Sequence, residues 1–259
     1  ADLAGATLPA TRVDLQGRGT ADAILIERLR LDGLGGSVTG EARLGMQPQL
    51  SWDAGLVLAG IDPGTYAAAW PGRIDGKVTS QGQLGPDGLG LTVAIESLAG
   101  RLRGYPIAAA GKVALQGKTL TIEGLTASSG PTRARIAGRI REDALDLDVG
   151  LDSPDLASLL PDAAGSLAVS GKALGSPRTP RLTLDLSGKG VAMAGQGVAS
   201  LVGKADLDLA PGGRLQVRLD GKDLAAGGMR WSAATLQGDG SLPEHRFSAV
   251  LDGQPLALR

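Results

Sequence analysis

Between Leu98 and Leu151 the chain alternates apolar and polar residues with a period of two, and it does so again and again. Ile107, Ala109, Gly111, Val113 and Leu115 share one parity, and Leu120 and Ile122 follow. Ala134, Ile136, Gly138 and Ile140 stand against Arg135, Ala137 and Arg139, and Leu145, Leu147, Val149 and Leu151 close the run. That period belongs to strands with one apolar and one polar face. Gln116-Gly117-Lys118, Ser128-Ser129-Gly130-Pro131 and Arg141-Glu142-Asp143 separate the runs and are rich in turn formers, which predicts consecutive hairpins. The stretch reads as a sheet with one greasy face and no helix beside it to cover that face.

The same pattern predicts an edge strand around Val13 to Gly17 within residues 1 to 20, and further strands at Gly36 to Leu44, Gln49 to Leu58, Arg73 to Leu84 and Leu89 to Glu96. Ala23 to Asp32 is long enough for a helix, but Leu25, Glu27, Leu29 and Leu31 alternate against Ile24, Ile26, Arg28 and Arg30, so it too reads as a strand. Strands return from Ser166 to Leu251. Two segments break the alternation. Asp62 to Trp70 has a capping Asp62, Pro63 in the first turn, Tyr66 and Trp70 four apart, and Pro71 at its end, which predicts a short helix. Pro154 to Leu160, followed by Pro161, reads the same way. Trp70-Pro71 and Leu160-Pro161 lie 90 residues apart, as do Leu84-Gly85 and Leu174-Gly175. A repeat is therefore expected, divided at 1–60, 61–152 and 153–259, with each unit touching only its neighbours.

Composition sharpens this picture. Only six residues are aromatic, so any interior is aliphatic, and 41 residues are glycine, well above the usual share of roughly 7%. Gly36, Gly40, Gly72, Gly76, Gly100, Gly104, Gly171 and Gly175 fall at joints of the alternating runs, where turns and curvature favour them. The 26 basic and 27 acidic residues form no block, so the basic, aromatic-studded stripe of a nucleic-acid surface is missing. Cysteine is absent, and no segment approaches the ~20 apolar residues of a membrane-spanning helix. The chain begins at Ala1 without Met, so a fragment is expected, with any anchor outside it.

Candidate chemistry is thin. His245 is the single histidine, set in a turn before a strand, and reads as a surface residue. Asp146 and Asp148 alternate with Leu145, Leu147 and Val149, which puts them on the solvent side of a strand and not in a calcium loop. Gly195-Gln196-Gly197 lacks the third glycine and the helix of a dinucleotide site. No catalytic set, metal site or cofactor site is expected, and the chain reads as a non-enzyme.

Gly100-Arg101-Leu102-Arg103-Gly104-Tyr105-Pro106, Gly111-Lys112-Val113, the Pro154 to Pro161 segment, Gly165-Ser166-Leu167 and Pro180 to Leu184 resemble the TamB family of AsmA-like translocation and assembly module proteins. The resemblance covers most of residues 30–259. It implies a repeating β-groove, or β-taco: an elongated, curled, mostly antiparallel all-β sheet with short helical crossings, here near 62–70 and 154–160. It also implies a periplasmic location, an inner-membrane anchor not present in this chain and an outer-membrane barrel partner of the TamA type. The implied role is to carry phospholipid between the two membranes and to support outer-membrane protein assembly. Alternation leads to nearly the same place, because roughly eighteen strands make a sheet that must curl or pair, and the aliphatic parity then lines a trough for acyl chains. The expected lining is Val113, Leu115, Leu120, Ile122, Ile136, Leu145, Leu147, Val149, Leu151, Leu182, Leu184 and Leu186. The alternative is a β-sandwich or β-helix structural or adhesive module, in which the same residues would form a closed core.

Overall fold

The computed structural model describes residues 11–33, 35–86 and 88–253, and the chain divides into two compact units, Ala1–Ala127 and Ser128–Arg259. The first unit carries β1 (Arg12–Gly19), β2 (Ala23–Gly33), β3 (Gly36–Gly45), β4 (Leu50–Ile61), β5 (Gly72–Gly85), β6 (Gly88–Leu102), β7 (Tyr105–Gln116) and all but the end of β8 (Thr119–Ser129). The second carries β9 (Thr132–Ile140), β10 (Leu145–Ser153), β11 (Ala163–Ser176), β12 (Thr179–Met193), β13 (Gln196–Asp208), β14 (Arg214–Ala226), β15 (Met229–Ser241) and β16 (His245–Asp252). In each unit the strands lie side by side in chain order as an antiparallel meander. Two-residue turns such as Gly117-Lys118 and Gly130-Pro131 make the hairpins where the alternation placed them. The edge strand expected within residues 1–20 is β1, and residues 1–10 lie outside the described ones.

Two parts of the expected architecture are corrected. The sheet is not a curled trough. Within each unit every strand pairs only with its chain neighbours and the meander stays open, with bulges, for instance at Gln16/Gly17 and Ala164/Ser166, taking up local mismatch. The helical crossings are not helices of seven to nine residues but single three-residue 3-10 turns, Pro63–Thr65 and Leu156–Ser158. The first is short because Asp62 Oδ1 accepts from the N–H of Gly64 and also of Gly72, both at 2.8 Å, and so ties together the two ends of the crossing. Pro71, with no N–H, then turns the chain into β5. The second is capped likewise, with Asp155 Oδ1 accepting from the N–H of Ala157 at 3.1 Å.

Under the second turn sits a buried cluster of hydroxyls. Thr132 Oγ1 lies 2.7 Å from both Ser153 Oγ and Ser158 Oγ, and all three residues are almost wholly buried. Ser158 donates to the Asp155 carbonyl, and Ser129 donates to that of Ser158, each at 2.7 Å. Thr132→Val removes the hub of this cluster and leaves two buried hydroxyls short of a partner, so a loss of about 1–3 kcal/mol in stability is expected. Chemical denaturation of the variant beside the parent measures it.

Candidate functional site

Directly paired residues of an antiparallel sheet point to the same side, so the strand register maps each face. In the second unit one row runs Ile136, Val149, Gly171, Leu184, Ala205, Val217, Gly238 and Phe247 across β9 to β16. The adjacent row runs Ala134, Leu151, Val169, Leu186, Gly203, Leu219, Leu236 and Ala249. On the other side of these rows Leu147 leads through Ala173, Leu182 and Leu207 to Leu215. The result is an aliphatic face that crosses strand after strand with no charged side chain in these rows. In the first unit the corresponding row is Leu44, Trp52, Gly82, Leu91 and Leu115, beside Ala54, Ser80, Val93 and Val113.

The expected lining residues therefore fall into two groups. Val113 and Leu115 lie on β7, and Leu120 and Ile122 lie two apart on β8, in the first unit. Ile136, the four residues from Leu145 to Leu151, and Leu182, Leu184 and Leu186 share the apolar face of the second. Every one of the twelve is half-buried. A closed core would hide them, yet among the described residues the only buried apolar side chains are Ala114, Leu156 and Ala163. The strands are long and well paired, so what is missing is side-chain burial.

Glycine does more here than make turns. Gly40, Gly76 and Gly171, expected at joints, lie inside strands. A Cβ on Gly171 would stand 2.5 Å from Leu184 Cδ2, one on Gly203 would collide with Leu219, and one on Gly82 would enter the Trp52 ring. Each of these glycines is a seat on which a large cross-strand neighbour lies flat. The Trp52 indole also donates to Ser80 Oγ at 3.0 Å, which satisfies its N–H within the apolar face.

The opposite face is polar and mostly self-neutralised. Lys77 pairs with Glu96 at 2.7 Å, Lys112 with Glu123 at 3.3 Å, Lys172 with Asp148 at 3.1 Å and Arg181 with Asp206 at 2.8 Å. Hydrogen bonds from Arg30, Arg181 and Arg218 hold the carboxyls of Asp32, Asp206 and Asp220 below the ordinary range, and these carboxylates push the arginines up. Asp148 is thus an ion-pair partner on the solvent side. His245 is exposed, opens β16 and meets Phe247 edge to face at 5.2 Å. Gly195 sits in the turn between β12 and β13. Among the described residues no three His, Cys, Asp or Glu side chains gather to hold a metal.

Alternation alone misses one device. Ile-Glu-X-Leu occurs at 26–29, 95–98 and 122–125. In the first two copies the ladder skips at the glutamate, so Ile26 and Leu29, or Ile95 and Leu98, three apart in sequence, both pair into the apolar rows. In the third, Gly124 is left-handed, with φ of 62°. Each glutamate meets a cation of the preceding strand, Arg18, Lys77 or Lys112. The parity read for residues 24–31 is corrected accordingly: Ile24, Ile26, Leu29 and Leu31 share one face.

The family model described as TamB, N-terminal domain, matches residues 1–259, the whole chain. The chain belongs to the TamB family. A curated TamB-family relative, the translocation and assembly module subunit TamB of Haemophilus influenzae, is 24% identical over 259 residues, which cover 99% of this chain and 20% of the relative. The chain thus spans about a fifth of the length of that TamB protein. No solved structure matches. Among the described residues of this TamB-family chain no helix is long and apolar enough to cross a membrane.

Proposed function

We propose that the apolar face takes up the acyl chains of phospholipids, and that this TamB-family segment forms part of a periplasmic bridge carrying lipid between the inner and outer membranes. In this reading the longer protein is tethered to the inner membrane, meets an outer-membrane barrel of the TamA type and serves outer-membrane protein assembly. The observation that carries it is the half-burial of all twelve aliphatic lining residues on paired strands, surface that water disfavours. Each acyl CH₂ leaving water for such a surface gains about 0.8 kcal/mol. Glycine seats keep the large side chains flat, so a chain can slide without a deep resting place. A closed sandwich would bury the same residues, which is why the structural-module reading is the weaker. In the repeat division we propose, 61–152 and 153–259, the Asp-capped turns at 62–65 and 155–158 would each open one unit.

Trp52 supplies the test. With Trp70 and Trp231 changed to Phe, Trp52 is the single indole, and phospholipid brominated on its acyl chains is expected to quench its emission strongly. A tryptophan placed instead at Asp206, on the polar face, with Trp52 also changed to Phe, is expected to be quenched several-fold less. Equal quenching at both positions rules out an acyl-binding apolar face.

A further inference from the structure

The polar face of the second unit holds a depression of about 580 Å³ over β9 to β13, within the size range of small-molecule sites. Its lining combines the small residues Gly150, Ala168, Ser170 and Ser187 with Leu151, Val169, Leu186 and Val202. One register row crosses it as Arg135, Gly150, Ser170, Asp185 and Lys204, and the next as Arg133, Asp152, Ala168, Ser187 and Val202. The far wall is neutral, because Lys204 Nζ lies 3.3 Å from Asp185 Oδ1. Arg133 stands directly across from Asp152. Arg135 stands across from Gly150, diagonal to Asp148 and Asp152, and makes no salt bridge among the described residues. Its side chain lies along that glycine, with Nε 3.0 Å and Cγ 3.2 Å from the position a Cβ would take. The lining thus holds three cations against two carboxylates, and the unbalanced charge is a guanidinium at the edge of a floor carrying two hydroxyls.

The geometry points to a second ligand site, in which Arg135 anchors the phosphate of a small phosphorylated polyol lying on the Ser170 and Ser187 hydroxyls. A guanidinium fork matches two oxygens of a phosphate, and Arg133, two residues away on the same face at roughly 7 Å, reaches the third. Val202, the large apolar side chain of the two polar-face rows, lies on β13 at the far side from Arg135, and the hydroxyls of Ser170 and Ser187 nearer the arginine suit a polyol. The site lies on the face opposite the aliphatic rows and does not depend on the lipid reading.

Isothermal titration with glucose 1-phosphate tests it, with glucose, inorganic phosphate and phosphatidylglycerol vesicles as separate probes. Saturable binding of glucose 1-phosphate, tighter than that of glucose or inorganic phosphate, is expected. Arg135→Gln is expected to weaken it about tenfold or more and Arg135→Lys, which keeps charge but loses the fork, by less. Arg139→Gln, on the same strand but outside the depression, is expected to leave binding unchanged. Both side chains are exposed, so the three variants keep their fold, and their melting curves verify this. The proposal is overturned by equal affinity in the Arg135 and Arg139 variants, by equal affinity for inorganic phosphate, or by binding to vesicles alone.

Discussion

Leu184→Asp is expected to strip the second unit of bound phospholipid while leaving it folded. Leu184 pairs with Gly171 on one side and Ala205 on the other and is only half-buried. In the lipid-free protein a carboxylate there still reaches water, so the fold loses mainly apolar contact, about 1–2 kcal/mol. With an acyl chain laid over it, the same carboxylate has aliphatic neighbours and no cation on its face to pair with. Taking it out of water then costs several kcal/mol or drives its protonation, so affinity is expected to fall about 100-fold. Thr183→Asp, one residue away, points to the other face, where Lys172 stands directly opposite, and is expected to bind lipid like the parent. Phospholipid retained per protein after purification, with fluorescent fatty-acid titration, checks the pair. Equal loading of the two variants would remove the apolar face from the mechanism.

Much of this arrangement is legible in the order of residues, because a strand's pleat writes itself as a period of two and a meander writes its turns as short glycine-containing breaks. That is why Leu145 to Leu151 and Leu182 to Leu186 can be set on one face before any coordinates exist. The rest depends on partners far along the chain. Asp62 to Trp70 has every local mark of a helix, but one carboxylate oxygen bonded to Gly64 and to Gly72, ten residues from it, decides for a single turn. Residues 24–31 alternate on paper, and only the skipped pairing around Glu27 brings Leu29 to the side of Ile26. The recurrence of Ile-Glu-X-Leu was the available signal. The Trp52 to Ser80 bond joins residues 28 apart, and nothing local announces it. Glycine abundance is visible at once, but which glycines seat a neighbour becomes visible only when the register names that neighbour.

Gly138→Ala tests that last point most severely, and a fall in melting temperature of about 5–15 °C is expected. Gly138 pairs with Leu147 and has φ of 137°, a backbone region that residues with a Cβ avoid at a cost of about 1–3 kcal/mol. A Cβ there would also overlap the Asp146 carbonyl and lie 2.8 Å from Leu147 Cα. These are backbone atoms, which cannot swing aside, so β9 and β10 must part and a further cost of about 1–3 kcal/mol follows. Gly150→Ala is the matched control. The atoms nearest its Cβ belong to the flexible chain of Arg135, so its melting temperature is expected to stay near that of the parent. Because Gly138 faces Leu147, the damage reaches the proposed acyl-binding face as well: with the two strands forced apart, Leu147 no longer lies level with Val149 and Leu182. Lipid retention is therefore expected to fall in Gly138→Ala even well below its melting point. A variant that melted like Gly150→Ala would mean that close approach at this glycine does not hold the apolar face together.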